Sequence, residues 1–91
     1  MKYRVRYAKR IKRDLKLVEK QGKDLNKFKA LVDILANGLR VPDEYLDHPL
    51  KGDYKGCREC HIEPDWLLIY KIEVDILILT LTRTGSHSDL F

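Results

Sequence analysis

The hydrophobic spacing of this chain changes once, near residue 40, and that change limits the folds open to it. Before it, Tyr7, Ile11, Leu15 and Val18 recur at helical spacing, with Gly22 as the stop. Asp24 can cap a second helix whose apolar stripe is Leu25, Phe28, Leu31, Val32 and Leu35, closed by Gly38 and Pro42. Ahead of both, Tyr3, Val5 and Tyr7 alternate with Arg4 and Arg6, the pattern of a short half-buried strand. After residue 42 the spacing suits strands. Residues 43–56 hold Pro49, Gly52 and Gly56 and read as a loop with room for one short strand. A strand over 57–63 is followed by the turn Glu63-Pro64-Asp65. Residues 66–72 are apolar on both faces, as a central strand requires. Glu73-Val74-Asp75 predicts another turn, residues 76–82 a last strand, and Thr84-Gly85-Ser86 the start of a tail ending in Leu90-Phe91. Two helices followed by a meander of strands predict an α+β fold: helices packed on one face of a small, mostly antiparallel sheet. With no repeat or linker, residues 1–91 are expected to form one domain.

The longest uninterrupted apolar run, Trp66-Leu67-Leu68-Ile69-Tyr70, is far too short to cross a membrane, and the first residues lack the apolar core of a secretory signal. A cytoplasmic protein without membrane contact is expected. Its charge is divided between the two halves. Residues 1–40 carry 13 Lys and Arg against 4 Asp and Glu, a net of +9; residues 41–91 carry 5 against 10, a net of −5. Clustered cations on outward helix faces attract phosphates or an acidic partner. Ordinary solvated lysine-rich helices would give the same counts.

Cys57-Arg58-Glu59-Cys60-His61 matches the pattern of covalent haem attachment. That reading fails on its company: the only methionine is Met1, no export signal precedes it, and the segment has strand character. One C-x-x-C without a second close pair does not make a structural zinc site. Residues three apart on a strand point to opposite faces, which also disfavours a disulfide. Reduced thiols in a sheet are expected.

All three histidines lie in turn-rich stretches of the second half: His48 in Asp47-His48-Pro49, His61 ahead of Ile62-Glu63-Pro64-Asp65-Trp66, and His87 after Arg83-Thr84-Gly85-Ser86. Imidazole gains or loses a proton near neutral pH, with an ordinary pKa of about 6.5. Any one of them alone is more simply a surface or core residue; as a set beside Asp65 they suit acid/base chemistry on an anionic substrate. Cleaving RNA without metal needs a base for the 2′-hydroxyl and an acid for the leaving 5′-oxygen. Arg58 and Arg83 can contact a phosphate bidentately, and Trp66 and Phe91 can stack on splayed bases. For Trp66, packing in the core is the competing explanation.

Asp47-His48-Pro49-Leu50, Arg58, the run from His61-Ile62-Glu63-Pro64-Asp65-Trp66 to Leu67-Leu68-Ile69-Tyr70-Lys71, and Arg83-Thr84-Gly85-Ser86-His87 with terminal Leu90-Phe91 together resemble the YafQ-type toxins of the RelE/ParE superfamily. The resemblance extends over essentially the whole chain. It implies a RelE-like fold and a toxin of a type II toxin–antitoxin pair that enters the ribosomal A site and cuts mRNA there. It implies a catalytic set of His48, His61, Asp65 and His87, with Trp66, Arg83 and Phe91 contacting or supporting substrate. On that pattern His87 is the general acid, His48 or Asp65 the base, and His61 orients or stabilises the phosphate. No metal or other cofactor is expected. The products would be a 2′,3′-cyclic phosphate or 3′-phosphate and a 5′-hydroxyl. Implied partners are the ribosome with its rRNA, mRNA, and a cognate antitoxin that folds over a monomeric toxin to give a hetero-oligomer. The chain departs from the pattern at Cys57 and Cys60, where an aromatic and a small residue are expected. Three rivals stay open: an RNase that needs no ribosome, a ParE-like gyrase binder without catalysis, and a haem or metal binder.

Overall fold

The computed structural model describes residues 1–91. In chain order the elements are β1 (Arg4–Tyr7), α1 (Ile11–Lys20), α2 (Leu25–Ala36), β2 (His48–Pro49), β3 (Arg58–Glu63), β4 (Trp66–Glu73), β5 (Ile78–Gly85) and α3 (His87–Leu90). Single 3-10 turns lie at Asp43–Tyr45 and Gly52–Tyr54. The five strands form one sheet in the order β1-β5-β4-β3-β2. β1 runs parallel to β5, and every other pair is antiparallel. The α+β architecture expected from the change of spacing is the one observed. β4, expected to be central, lies between β3 and β5 and buries five consecutive residues, Trp66 to Tyr70.

Two apolar clusters sit on opposite faces of the sheet. On one face α1 and α2 contribute Ile11, Val18, Phe28, Leu31, Val32 and Leu35, packed on Cys60, Trp66, Leu68, Tyr70, Leu79 and Leu81. On the other, Leu67 and Ile69 are covered by Leu90 of α3 with Leu50, Tyr54 and Cys57. Asp24 caps α2 as its sequence predicts, accepting the Asn26 backbone N–H at 2.9 Å, an interaction worth about 1 kcal/mol.

Several boundaries depart from the sequence expectation. Tyr7 belongs to β1, where it pairs with Leu81, so α1 starts at Ile11. The ladder to β5 holds four residues of extended backbone that a helical stripe through Tyr7 would have broken. The β4–β5 turn is longer than three residues: Val74, Ile76 and Leu77 are exposed, and Leu77 takes the left-handed φ of 55°. β5 therefore starts at Ile78 and runs on through Thr84 and Gly85. What was expected as a tail is α3, whose first turn is capped by Ser86 Oγ accepting the Asp89 N–H at 3.2 Å.

The stripe on α1 also hides a carboxylate. Asp14 is buried and accepts Arg83 Nε at 2.7 Å, Arg83 Nη2 at 3.1 Å and the Thr84 backbone N–H at 3.2 Å. This bidentate pair, about one-tenth exposed on each side, ties the helix layer to the end of β5. The Asp14 hydrogen bond is the main cause holding the Arg83 guanidinium above its ordinary pKa. Removing one partner strands the other charge in a poorly hydrated place. Asp14→Ala is expected to lower unfolding stability by roughly 3 kcal/mol, read as a reduced urea midpoint at unchanged slope. A loss below about 0.5 kcal/mol would show the tether to be no stronger than a surface pair.

Candidate active site

The site is built on the face of the sheet opposite α1 and α2. Strand alternation puts Glu59 and His61 of β3 on that face, level with Ile69 and Leu67 of β4, and Arg58 and Cys60 on the helix face. β2 sets His48 directly across from Glu59. β5 ends at Gly85, and His87 opens α3 two residues later. The three histidines thus come from three elements and meet in one arc. Ring centroids are 6.0 Å apart for His48 and His61, 5.9 Å for His61 and His87, and 6.1 Å for His87 and Phe91. Phe91, 63% exposed, is braced edge-on by Tyr54 at 5.6 Å.

Each histidine has its Nδ1 committed. Asp65 Oδ1 lies 3.1 Å from both the backbone nitrogen and Nδ1 of His87. A carboxylate accepts, so Nδ1 carries the hydrogen and Nε2 is left for other partners. His48 Nδ1 donates to the Leu46 carbonyl at 2.7 Å, and His61 Nδ1 to the Pro64 carbonyl at 3.3 Å. Leu46 holds the uncommon φ of 51°, and the carbonyl it presents to His48 is a local reason for that backbone. The Nε2 atoms of His48 and His61 both approach Glu59 Oε2, at 3.0 and 3.6 Å. Glu59 is buried, and its Oε1 has no hydrogen-bond partner. Two nitrogens and a carboxylate oxygen within 4.8 Å of one another are a donor set able to hold a metal ion.

Of the site residues expected from sequence, His48, His61, Asp65, His87 and Phe91 are brought together. Three others are placed differently. Trp66 is fully buried and donates its indole N–H to Thr84 Oγ1 at 2.9 Å, while Thr84 Oγ1 donates to the Leu67 carbonyl at 2.6 Å. It has no face to offer a base, and instead supports the strand ends beneath Asp65 and His87. Arg83 is engaged by Asp14 rather than presented to a phosphate. Arg58 lies on the far face of β3 from His61 and is held by Asp47, with Nε at 3.2 and 3.3 Å and Nη2 at 3.2 Å. Asp47 also accepts the Tyr70 hydroxyl at 2.5 Å and lies 3.7 Å from Cys60 Sγ. Burial, then the Asp47 charge, pushes the Cys60 thiol up to about 12. Cys57 and Cys60 pack in the two separate clusters on opposite faces, both as free thiols.

A model of the bacterial type II toxin–antitoxin toxin YafQ matches residues 3–91. This chain belongs to the YafQ toxin family. Among relatives, the mRNA interferase toxin YafQ of Escherichia coli K12 is 46% identical over 88 residues, covering 96% of this chain and 94% of that one. The toxin in the E. coli DinJ-YafQ complex is 43% identical with a TM-score of 0.88, covering 98% of both chains. A metal-bound toxin from Helicobacter pylori is also 43% identical, with a TM-score of 0.91 over the whole of both chains.

Within this YafQ-family site the sequence reading missed Glu59, and on the far face of β3 it missed Asp47 as the partner of Arg58. Glu59 was discoverable, since a residue two before His61 on a strand shares its face. Also missed were Arg10 and Lys51, which with Asp53, Tyr54, Leu90 and Phe91 line a cleft of about 430 Å³ beside the arc.

The backbone N–H of His87, then its imidazole, holds the Asp65 carboxyl below the ordinary aspartate value of 3.8. A depressed folded pKa means that the lock is complete above the ordinary value and is lost as pH falls through the lower one. The His87 amide proton shift is expected to move with an acid midpoint below 3.8 and to become pH-flat there in Asp65→Asn. A wild-type midpoint at or above 3.8 would show that the hydrogen bonds do not hold the ionised form.

Proposed function

We propose that this toxin is an endoribonuclease that cuts mRNA in the ribosomal A site by metal-independent proton transfer among His87, His48 and Glu59. The observation carrying this reading is the His48–His61–His87–Phe91 arc, with His87 fixed through Nδ1 to Asp65. His87 in its imidazolium form directs its Nε2–H outward and donates it to the leaving 5′-oxygen. The 2′-hydroxyl proton goes to the pair formed by His48 Nε2 and Glu59 Oε2. They lie 3.0 Å apart, within hydrogen-bond reach, so a proton taken by one is shared with the other. The 2′-oxygen bonds to phosphorus as the bond to the 5′-oxygen breaks, leaving a 2′,3′-cyclic phosphate and a 5′-hydroxyl. His61, midway along the arc, steadies the phosphorane charge by donating from Nε2 in its protonated form. Asp65 is a positioning residue on this account: one of its oxygens already takes two hydrogen bonds from His87.

Phe91 supplies the exposed ring on which a base stacks, the role that Trp66 is too buried to fill. With Arg58 and Arg83 paired, Arg10 and Lys51 in the adjoining cleft are the cations placed to meet the backbone. The basic first half suits docking on rRNA, and the same surface would draw in an acidic antitoxin segment. A relative's complex with the antitoxin DinJ supports a cognate antitoxin here. A gyrase-binding toxin has no use for three oriented imidazoles, which disfavours that rival.

Primer extension on mRNA in a translating extract tests the reading. Wild type is expected to leave codon-phased cuts, and His87→Ala to lose them by a factor of about 10²–10⁴. Equal cutting by both would remove His87 from the chemistry. Equal cutting of deproteinised RNA would replace ribosome dependence with a free-RNA nuclease.

A further inference from the structure

We infer that Asp47 is a positioning residue: from the face of the sheet opposite the histidines it anchors β2 to β3 and β4, and so sets where His48 Nε2 stands against Glu59. β2 needs such an anchor. It is two residues long, lies at the edge of the sheet and pairs only with β3. Pro49, one of the two, has no N–H to give the ladder. Leu46, just ahead, holds a left-handed backbone with φ 51°. So short a ladder, with a neighbour on one side only, is a weak hold for a side chain that must meet its partner closely.

Asp47 supplies the hold. Successive side chains along extended backbone point to opposite faces, so with His48 turned toward the site Asp47 turns toward Arg58 and Cys60. Its Oδ1 accepts the Tyr70 hydroxyl at 2.5 Å. Arg58 donates Nε to both of its oxygens at 3.2 and 3.3 Å, and Nη2 to Oδ2 at 3.2 Å. The Cys60 thiol, 3.7 Å from Oδ1, is a further donor. One carboxylate thus takes hydrogen bonds from β3 and β4 at once. Tyr70 is the fixed end of the tie: it is buried in the core under the two long helices and pairs with Arg58 across the β3–β4 ladder. Burial, then the bond to Asp47, holds its hydroxyl above the ordinary tyrosine pKa, which keeps it a donor. Arg58, expected to meet a phosphate, and Cys60, where a small residue was expected, both serve this tie.

The consequence for activity rests on the function proposed above. His48 Nε2 lies 3.0 Å from Glu59 Oε2, and that pair is the one proposed to receive the 2′-hydroxyl proton. Asp47 touches neither RNA nor the reacting atoms; it acts through His48. A displacement of about 1 Å in a catalytic group can cost on the order of 10²-fold in rate. Phe91 and the cations of the cleft bind substrate independently of this tie, so the loss belongs in kcat rather than in KM.

Cleavage kinetics on ribosomes carrying a defined mRNA give the first test. Asp47→Ala is expected to lower kcat about 10²-fold at unchanged KM, and Tyr70→Phe, which keeps the core volume, about tenfold. Asp47→Asn, whose amide oxygen still accepts from Tyr70, should recover roughly tenfold of the Asp47→Ala loss. Adding Asp47→Ala to His48→Ala should cost nothing more, because the two act as one unit. A kcat within about twofold of wild type in both Asp47→Ala and Tyr70→Phe, or a fully additive loss in the double variant, would overturn the inference. ¹⁵N NMR of the histidine rings in alkaline buffer reads the position without RNA. In Asp47→Ala and Tyr70→Phe the His48 nitrogens should move toward the tautomer average, while those of His87 keep their wild-type shifts. Unmoved His48 signals, or His87 signals moving as far as those of His48, count against the anchor. If wild type does not cut mRNA, the proposed activity fails, while the ring signals still decide whether Asp47 positions His48.

Discussion

β4 is covered on both faces, and its register against β3 and β5 therefore cannot slip by one residue without exchanging one apolar cluster for the other. Leu67 and Ile69 must lie under α3, and Trp66, Leu68 and Tyr70 under the two long helices. With that register fixed, Glu59 and His61 are committed to the face away from α1 and α2, and β2 delivers His48 opposite Glu59. At the start of β4 the same register brings Asp65 to the start of α3, where it meets His87. The arc of imidazoles is thus a by-product of burying one strand twice. The buried Trp66–Thr84–Leu67 hydrogen bonds tie the start of β4 to the end of β5 beneath this meeting point.

The site is held together by commitments made at Nδ1, and these turn the Nε2 atoms of His48 and His61 toward Glu59. Asp65 takes up one histidine, and two backbone carbonyls take up the others. What remains is two imidazole Nε2 atoms gathered at Glu59 Oε2, on a carboxylate whose other oxygen is buried and unpartnered. A folded protein tolerates such an arrangement where function demands it, since each unsatisfied buried group costs about 1–3 kcal/mol.

The change from helical to strand spacing gave the α+β class and the central position of β4 directly, because both follow from local apolar pattern. The same pattern misplaced Tyr7, whose fate was decided by a parallel ladder to Leu81, 74 positions away. The histidine set and Phe91 were legible as an uneven distribution of chemistry-bearing residues. The arginines were not. Arg83 looked free because Asp14, its partner, lies 69 positions earlier in an amphipathic helix. Arg58 could have been set aside from sequence alone, since three steps along a strand from His61 puts it on the other face. Trp66 was ambiguous for a physical reason: a large apolar ring with one donor serves equally well as a stacking platform or a core residue, and only Thr84 decides between them.

The charge division between the halves survives folding. Of the cations in residues 1–40, Lys23 and Lys27 meet Glu63, and Arg40 meets Asp43. The other ten have no carboxylate within salt-bridge distance, so the acidic second half does not neutralise the basic first half at close range. Such a surface repels itself, and its field is relieved most by a dense polyanion or an acidic chain laid across it. Arg10 joins this surface to the cleft beneath Phe91, so a strand drawn in along the cations arrives beside His87. His87 and Asp65 are each more than half exposed. On the proposed mechanism this end of the arc is solvated until RNA covers it, and the bound RNA, by excluding water there, strengthens the charge interactions that cleavage requires.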